Sequence, residues 1–501
     1  MDHSGLYPAL SIFVALVTFL SAFAFLRPRT PVIPGPRGLP LLGNMADLTG
    51  GFEWIRFGTS LRRQFGDFLG LRILHKRLLV LNSASAAKKL LDKRANNYSS
   101  RPVMTFLGEL MGLNRAMPLM PYGPEWKAAR KLALVALNPT SVKQYRSVVE
   151  HYAAKLALDI VEDPSDFYEL TRLCASRIIL AVTYGISARA TDSEYLGLAE
   201  EVMSIVTVAL QPGAYLCDVL PILKHLPRWV PFQRQAAHGR RMFERFVTLP
   251  FERAKGAFAA GTADPSMVSN ILASMPHGAL TPEMDERVKW TAGSMFAAGG
   301  ESTFGTLAVF IIAMALNPDK QALAQQEIDS IVGSERLPSM SDKPSLPYVD
   351  ALIQEVIRWH PMLPLSIARC AEDDDERDGY RIAKDTIVLV NNWSIAMEPN
   401  AKYPPDQFIP ERFMDKEHPT PHTSTWAFGF GRRLCPGKAF AEEALFASIA
   451  TLLATLEIRP PREGLAPEFY SRITCLPKQF NCILRPRSQE KVDLLRRIVA
   501  P

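Results

Sequence analysis

The chain has 501 residues, 48% of them hydrophobic, and 57 lysines and arginines against 51 aspartates and glutamates leave it at +6. It can bury a large core, as two or three domains or as one large helical enzyme, and its mild basic excess forms no dense Lys/Arg stripe. That argues against nucleic acid and for an anionic membrane surface or an acidic protein partner.

The six cysteines, at 174, 217, 370, 435, 475 and 482, include no Cys-x-x-Cys pair. Zinc and disulfide scaffolds are therefore disfavoured, and reduced, cytosolic thiols are expected.

From Ser4 to Leu26 no residue is charged, and Leu10–Leu20 is strongly apolar. About twenty residues at 1.5 Å each span a bilayer core, so residues 1–29 read as a transmembrane anchor. Arg27 and Arg29 follow the apolar run, which places the rest of the chain on the cytosolic side. A cleaved signal peptide is the competing reading, and Ala22-Phe23-Ala24 has the small residues of a cleavage site. The basic charge lies after the apolar run, opposite to a secretory leader. Residues 30–45 alternate prolines and glycines and read as a stiff, non-helical hinge, and 46–501 form the main body.

Leu69–Leu74 and Arg77–Asn82 read as two short strands, followed by a helix over Ser83–Lys93. Arg101-Pro102 opens an irregular segment that runs to Gly123. The next helix starts with Pro124 and places Trp126 and Arg130 at i, i+4 on one face. Residues 140–255 read as amphipathic helices broken at Pro164, Pro212, Pro221, Pro227, Pro231 and Pro250, with positions around Met203 to Leu210 as candidates to line a pocket.

Thr281-Pro282-Glu283 combines a capping hydroxyl, an early proline and an early acid. The pattern predicts one helix to Asn317-Pro318, about 50 Å long at 1.5 Å per residue, which must cross the whole body. Near its middle lies Ala298-Gly299-Gly300-Glu301-Ser302-Thr303. Adjacent glycines cost a helix about 1 kcal/mol each, so something needs the room. One reading is a groove beside a flat ligand, with the helix locally opened by a hydroxyl bonding one turn back; the other is a kinked core helix with Gly-Gly packing.

Tyr348–His360 reads as a helix ended by Pro361, with Glu355 and Arg358 spaced to pair. Pro364–Arg369 reads as a strand, Glu372–Tyr380 as an acidic hairpin turn, and Tyr470–Leu476 as a pocket-lining turn before a closing hairpin near Arg485-Pro486. Between them, Phe428–Gly437 is a loop held tight by three glycines and a proline, and a helix follows from Lys438. Cys435 is thus offered at a helix N-terminus, where amides and the helix dipole favour a thiolate.

Phe428, Gly431, Arg433, Cys435 and Gly437 complete the pattern Phe-x-x-Gly-x-Arg-x-Cys-x-Gly, which resembles the haem-binding loop of the cytochrome P450 family. The resemblance extends to the hinge, to Trp126-x-x-x-Arg130, to Ala-Gly-x-Glu301, to Glu355-x-x-Arg358 and to Pro410-Glu411-Arg412, in family order. It implies a mainly α fold with a smaller β region (α+β), a triangular helical body with haem b between the long helix and the cysteine loop. Cys435 is then the iron's axial thiolate, which pushes electron density towards O–O cleavage. Trp126 and Arg130 are expected at a haem propionate, joined by Arg369, where many relatives carry Pro-His in place of Ala368-Arg369. Glu301 with Ser302 and Thr303 is expected to relay protons. Ser302 stands where the family usually has threonine and lacks the methyl that fixes its rotamer. Glu355, Arg358 and Arg412 are expected to form a structural clamp, and the irregular segment after Arg101 to roof the substrate pocket.

The family also implies electrons from a membrane-bound NADPH–cytochrome P450 reductase, whose acidic surface would dock on Lys127, Arg130, Lys131, Arg432 and Lys438. The expected product is a lipophilic small molecule carrying one oxygen atom from O₂, made by a single-pass, monomeric protein of the endoplasmic reticulum membrane with its catalytic domain in the cytosol. The loops resemble fungal members that tailor terpenoids, polyketides or alkaloids. Two alternatives stay open: a reductase-independent isomerase or peroxygenase, which Ser302 allows, and a non-catalytic haem-binding protein, which the acid–hydroxyl pair argues against.

Overall fold

The computed structural model of the protein describes residues 33–186, 192–211, 213–275 and 280–500. The apolar stretch assigned to a membrane anchor lies outside the described residues. The amphipathic segments fold as α1 (Pro124–Leu137), α2 (Arg146–Glu162), α3 (Phe167–Tyr184), α4 (Asp192–Ala209) and α5 (Pro231–Ala259). They are followed by α6 (Pro282–Leu316), α7 (Pro318–Val332), α8 (Pro347–Trp359), α9 (Lys438–Thr455) and α10 (Gln489–Val499). Proline opens α1, α5, α6, α7 and α8, a position where its missing N–H costs nothing and its fixed φ already suits the helix.

The break expected at Pro250 does not occur. Pro250 lies inside α5, buried with Phe246, Val247 and Phe251, so core packing outweighs a penalty of roughly 3 kcal/mol for an interior proline.

The β region is small. Strands β1 (Phe68–Ile73) and β2 (Lys76–Leu81) form an antiparallel hairpin. Two more strands from the far end of the chain, β3 (Arg369–Cys370) and β6 (Ile387–Val390), complete a sheet of order β1-β2-β6-β3, in which β6 runs parallel to β2. The acidic stretch folds as the hairpin of β4 (Asp375–Arg377) and β5 (Tyr380–Ile382), and β7 (Leu456–Arg459) pairs with β8 (Ile483–Pro486). The strand expected over 364–369 shrinks to Arg369–Cys370, because Ser366 takes a left-handed φ of 55° that bends the chain. The helix expected over 83–93 holds as an α-helix only for Ala84–Ala87 and then widens. The described part of the hinge contains no α-helix, gives way to a 3₁₀ turn at Met45–Leu48, and docks on β1, where the Gly70 amide donates to the Pro34 carbonyl at 2.8 Å.

Helix α6 forms the axis of the core. Thr281 caps it by accepting from the Met284 amide at 3.3 Å, and most side chains from Val288 to Ala315 are buried. Among the described residues it is the one helix long and apolar enough to cross a membrane, but that character reflects its course through the protein interior. Glycines let its neighbours close in: a Cβ on Gly293 would sit 2.4 Å from Val247 of α5, and one on Gly299 would sit 2.7 Å from Ile179 of α3.

The cysteine loop is tied to this frame through α8. Glu355 accepts from Arg358 at 2.6 and 2.8 Å, from Arg412 at 3.1 Å and from the Ile409 amide at 2.7 Å, and the three charged side chains are almost wholly buried. The remaining guanidinium donors reach the carbonyls of Ala396, Pro404, Pro405 and Gln407. Next to Glu355, Gln354 accepts from the Thr423 amide at 3.0 Å, five residues before Phe428. A carboxylate shared by two guanidiniums is costly to break, because removing it leaves two buried charges uncompensated. Glu355→Ala is expected to destabilise the protein by about 3–5 kcal/mol, read as a lower urea midpoint and loss of bound haem, with Glu355→Gln intermediate.

Candidate active site

The loop before α9 is shaped by its own backbone. The Cys435 amide donates to the Phe428 carbonyl at 2.9 Å, and Gly431–Arg433 form a single 3₁₀ turn. Gly431 has φ 53°, and a Cβ there would lie 2.2 Å from the Leu91 carbonyl oxygen, so only glycine fits. Gly437 caps α9, and Cys435 stands two residues before it. Cys435 is half-buried, and protein atoms crowd its thiol. Burial pushes it up, against the pull of the Gly437 amide and the Arg130 guanidinium. The other five cysteines are unpaired and are pushed up by burial.

Beside Cys435 lies a cluster of buried guanidiniums. Trp126 is buried, with the Arg433 guanidinium 4.5 Å and the Arg130 guanidinium 5.4 Å from its ring centre. Arg433 donates to the carbonyls of Ser99 and Met120, both at 2.7 Å, and burial together with Arg369 and Arg130 pushes it down to about 9. Arg369 donates to the Phe430 carbonyl at 2.6 Å, and its other terminal nitrogen is buried without a partner. Burial pushes Arg369 down to about 10.

The fourth member, Arg101, was not singled out by sequence as a site residue. It donates to the carbonyls of Pro118, Ile367 and Ala368, and burial with the nearby Arg433 and Arg369 holds it well below the usual range. An arginine before a proline in an irregular loop carries no spacing signal, since its neighbours lie on segments far along the chain.

Among the described residues no carboxylate hydrogen-bonds Arg101, Arg369 or Arg433, and Arg369 has a spare buried donor without a partner. A ligand bearing carboxylates fits that donor set through charge-assisted hydrogen bonds. Among the described residues no group of three or more His, Cys, Asp or Glu side chains gathers. Cys435 can therefore hold a metal only where the other ligands come from outside the chain. Haem, a metal in a macrocycle with two propionates, meets both requirements.

On the opposite wall α6 runs unbroken, contrary to the expected local opening. The hydroxyls of Ser302, Thr303 and Thr306 return to the carbonyls of Ala298, Gly299 and Ser302 at 3.1, 2.8 and 2.9 Å, so those carbonyls stay satisfied within the helix. Gly299 belongs to the packing against α3 and does not make a groove for a ligand. Thr303, one turn on from Gly299, is buried on that same side. Ala298 and Ser302, also one turn apart, are the exposed and half-exposed positions of the other face, within a helix otherwise largely buried. The two hydroxyls expected to act together thus point to different sides.

Glu301 lies on a further side of the helix and lines a cleft of about 500 Å³, of mixed polar and apolar walls, that Arg172, Met203, Thr207 and Arg472 also line. Its carboxylate accepts from the Thr474 hydroxyl at 3.2 Å. Burial raises Glu301, and Thr474, Arg172 and Arg472 partly offset the rise. A second hollow, of about 560 Å³, lies on the far side of α9 and is lined by paired charges such as Arg146–Glu443, at 2.5 Å, and holds none of these groups.

The Cytochrome P450 family model matches residues 33–484 of the chain. Among curated proteins, "Cytochrome P450 monooxygenase 105" of Postia placenta is 34% identical over 505 residues, covering 98% of this chain and 96% of the relative. "Cytochrome P450 monooxygenase COX1" of Coprinopsis cinerea is 34% identical over 494 residues, with 94% and 95% covered, and COX2 of the same fungus is 35% identical over 470 residues, with 91% and 89% covered.

Replacing one guanidinium separates two effects of the cluster. Arg101→Met removes a buried like charge, so the apoprotein is expected to unfold at an equal or higher urea concentration. Loss of a charge-assisted bond worth about 1.5–3 kcal/mol should nevertheless release haem roughly ten- to a hundredfold faster, measured by transfer to apomyoglobin.

Proposed function

The chain belongs to the cytochrome P450 family, and on that premise we propose that it is a membrane-bound monooxygenase that inserts one oxygen atom from O₂ into a C–H or C=C bond of a lipophilic small molecule. The family binds haem iron through a cysteine thiolate, and its curated relatives here are named monooxygenases. The observation that carries the reading for this chain is Cys435 beside Arg101, Arg130, Arg369 and Arg433, which no carboxylate among the described residues hydrogen-bonds. We assign Cys435 as the iron ligand, Arg101, Arg130, Arg369 and Arg433 with Trp126 as the propionate cradle, and Phe428 and Gly437 as the backbone frame of the thiolate.

Bound haem supplies activation of dioxygen at its iron and transfer of one oxygen atom to the substrate. The chain's own part is to supply protons and exclude bulk water. Ser302 Oγ parks its hydrogen on the Ala298 carbonyl and keeps lone pairs free on the exposed face of α6. Glu301, raised by burial, exchanges protons with the cleft and can hand one across the edge of the helix. Thr303, bonded within the helix on the α3 side, serves packing.

A membrane site is supported by an apolar surface near the start of the described chain. Leu41, Leu216, Ile222 and Trp229 are each at least 70% exposed. The Leu41 and Leu216 regions meet where Lys76 Nζ donates to the Asp218 carbonyl and the Leu74 amide donates to the Leu42 carbonyl. Such a patch suits the surface of a bilayer. An endoplasmic reticulum location and a role in fungal secondary metabolism belong to the same proposal.

For the reductase, the expected dock narrows. Arg130 turns inward to Trp126, while exposed Lys127 and Arg432 flank Tyr122 at 5.3 and 5.2 Å and Lys131 follows one turn on. Charge reversal at Lys127 and Arg432 is expected to slow turnover driven by NADPH–cytochrome P450 reductase several-fold while sparing turnover driven by added peroxide.

The activity itself is tested by co-expression with the reductase and feeding of lipophilic probes (a C12 fatty acid, a steroid and a sesquiterpene), with NADPH, O₂ and product counted together. Equal consumption with an oxygenated product is expected; product without NADPH consumption sinks the monooxygenase reading. With any accepted probe, Ser302→Ala should divert about tenfold more NADPH to peroxide, whereas Thr303→Ala should leave that ratio near wild type.

A further inference from the structure

The C-terminal turn carries more than pocket-lining side chains. Residues 468–478 fold back on themselves, with the Tyr470 amide on the Leu476 carbonyl at 2.9 Å and the Lys478 amide on the Glu468 carbonyl at 2.8 Å. The turn is fixed from two sides. His360, just past α8, bonds the Cys475 carbonyl through Nε2 at 2.8 Å and stacks on Phe469 at 3.9 Å. The Cys475 amide donates to the Met362 carbonyl at 2.9 Å, and the Tyr168 hydroxyl of α3 donates to the Pro477 carbonyl at 2.7 Å. Since a carbonyl only accepts, His360 is the Nε2–H tautomer, and burial pushes it down to about 4, so it stays neutral at physiological pH.

Against the long helix the turn comes as close as atoms allow. Gly305 lies one turn beyond Glu301 on the same face, and a Cβ there would be 2.5 Å from Leu476 and 2.4 Å from the Met362 sulfur. The missing side chain admits the turn to the helix and brings Thr474 Oγ1 to 3.2 Å from Glu301 Oε1.

We infer that Thr474 is a positioning residue for the proton-carrying carboxyl: its hydroxyl holds Glu301 at the wall of the cleft in the orientation from which it exchanges protons. This rests on the role proposed above for Glu301. The charged and titratable groups facing that carboxyl across the cleft are Asp166, Tyr168, Glu169 and Arg172 at α3, Glu200 of α4, and Tyr470 and Arg472 of the turn. Arg172 is already engaged by Glu169 at 3.6 Å and Glu200 at 3.7 Å, and Arg472 lies over Tyr470. Neither arginine hydrogen-bonds Glu301, which leaves Thr474 as the side chain that does so among the described residues.

The sign of the effect is fixed. A donor to the carboxylate favours the charged form, so removing it raises the pH at which Glu301 takes up its proton. A bond of ordinary strength corresponds to about half to one pH unit. The experiment is an infrared pH titration of the haem-loaded, full-length protein in phospholipid nanodiscs. The protonated Glu301 carbonyl band is identified by its loss in Glu301→Gln. Thr474→Val and Thr474→Ala are expected to move its midpoint up by that amount, and Thr474→Ser to restore the wild-type value. An unmoved midpoint in both Val and Ala variants, with their thermal melts intact, overturns the inference. Failure of the underlying reading looks different: Glu301→Gln would then turn over with wild-type coupling while the titration still responds to Thr474.

Discussion

Four guanidiniums, those of Arg101, Arg130, Arg369 and Arg433, share one buried region beside Cys435 in which no carboxylate bonds them, and the site is arranged around that imbalance. Backbone carbonyls of Ser99, Pro118, Met120, Ile367, Ala368 and Phe430 accept from Arg101, Arg369 and Arg433. Dipoles of that kind fill hydrogen-bond valences but do not cancel net charge, which is why burial and mutual repulsion depress Arg101 and Arg433 together. The clamp at Glu355 is the instructive contrast. There two equally buried arginines share a carboxylate supplied by the fold, and the group closes on itself as structure. At the cysteine the fold supplies only the cations, and the anion has to come with a ligand.

Helix α6 divides the protein into compartments by which atoms it omits. At Gly299 the missing side chain is used by Ile179, so α3 packs tightly on that side and the neighbouring hydroxyl of Thr303 is absorbed into the helix. Ala298 and Ser302 face a side about 100° away, where the small methyl and the short hydroxyl stay exposed or half-exposed. Gly300 and Glu301 line the cleft, and Glu301 is the titratable group of the run that does so. A sequence run of six residues thus serves three environments, because successive helix positions are separated by about 100°.

How much of this was legible depended on whether the signal was local. The cysteine loop, Trp126 with Arg130, and Glu355 with Arg358 are short spacings on one element, and each lies where its spacing put it. The long helix announced its cap at Thr281 and its stop at Pro318. Illegible features were those decided by neighbours distant in sequence. Pro250 reads as a breaker, yet the core around Phe246 and Phe251 keeps α5 whole. Gly299 reads equally well as a ligand groove or a helix contact until Ile179 is in place. Arg101 and Thr474 have no pattern at all, since their partners lie some 270 residues and 173 residues away in the chain.

The way the C-terminal turn is held has a consequence for how such a site can change its substrate without losing its proton supply. Its hydrogen-bonding anchors at Cys475 and Pro477 grip the main chain: His360 the carbonyl of Cys475, Met362 the amide of the same residue, and Tyr168 the carbonyl of Pro477. Side chains at Tyr470 and Arg472 can then be exchanged, as different pocket shapes require, without moving the backbone that carries them, whereas Leu476 is packed against Gly305. Thr474 is the exception, because its side chain is itself the contact to Glu301. A turn that tolerates variation at its other exposed positions but keeps a hydroxyl at this one separates the choice of substrate from the delivery of protons, although both sit within five residues of one another.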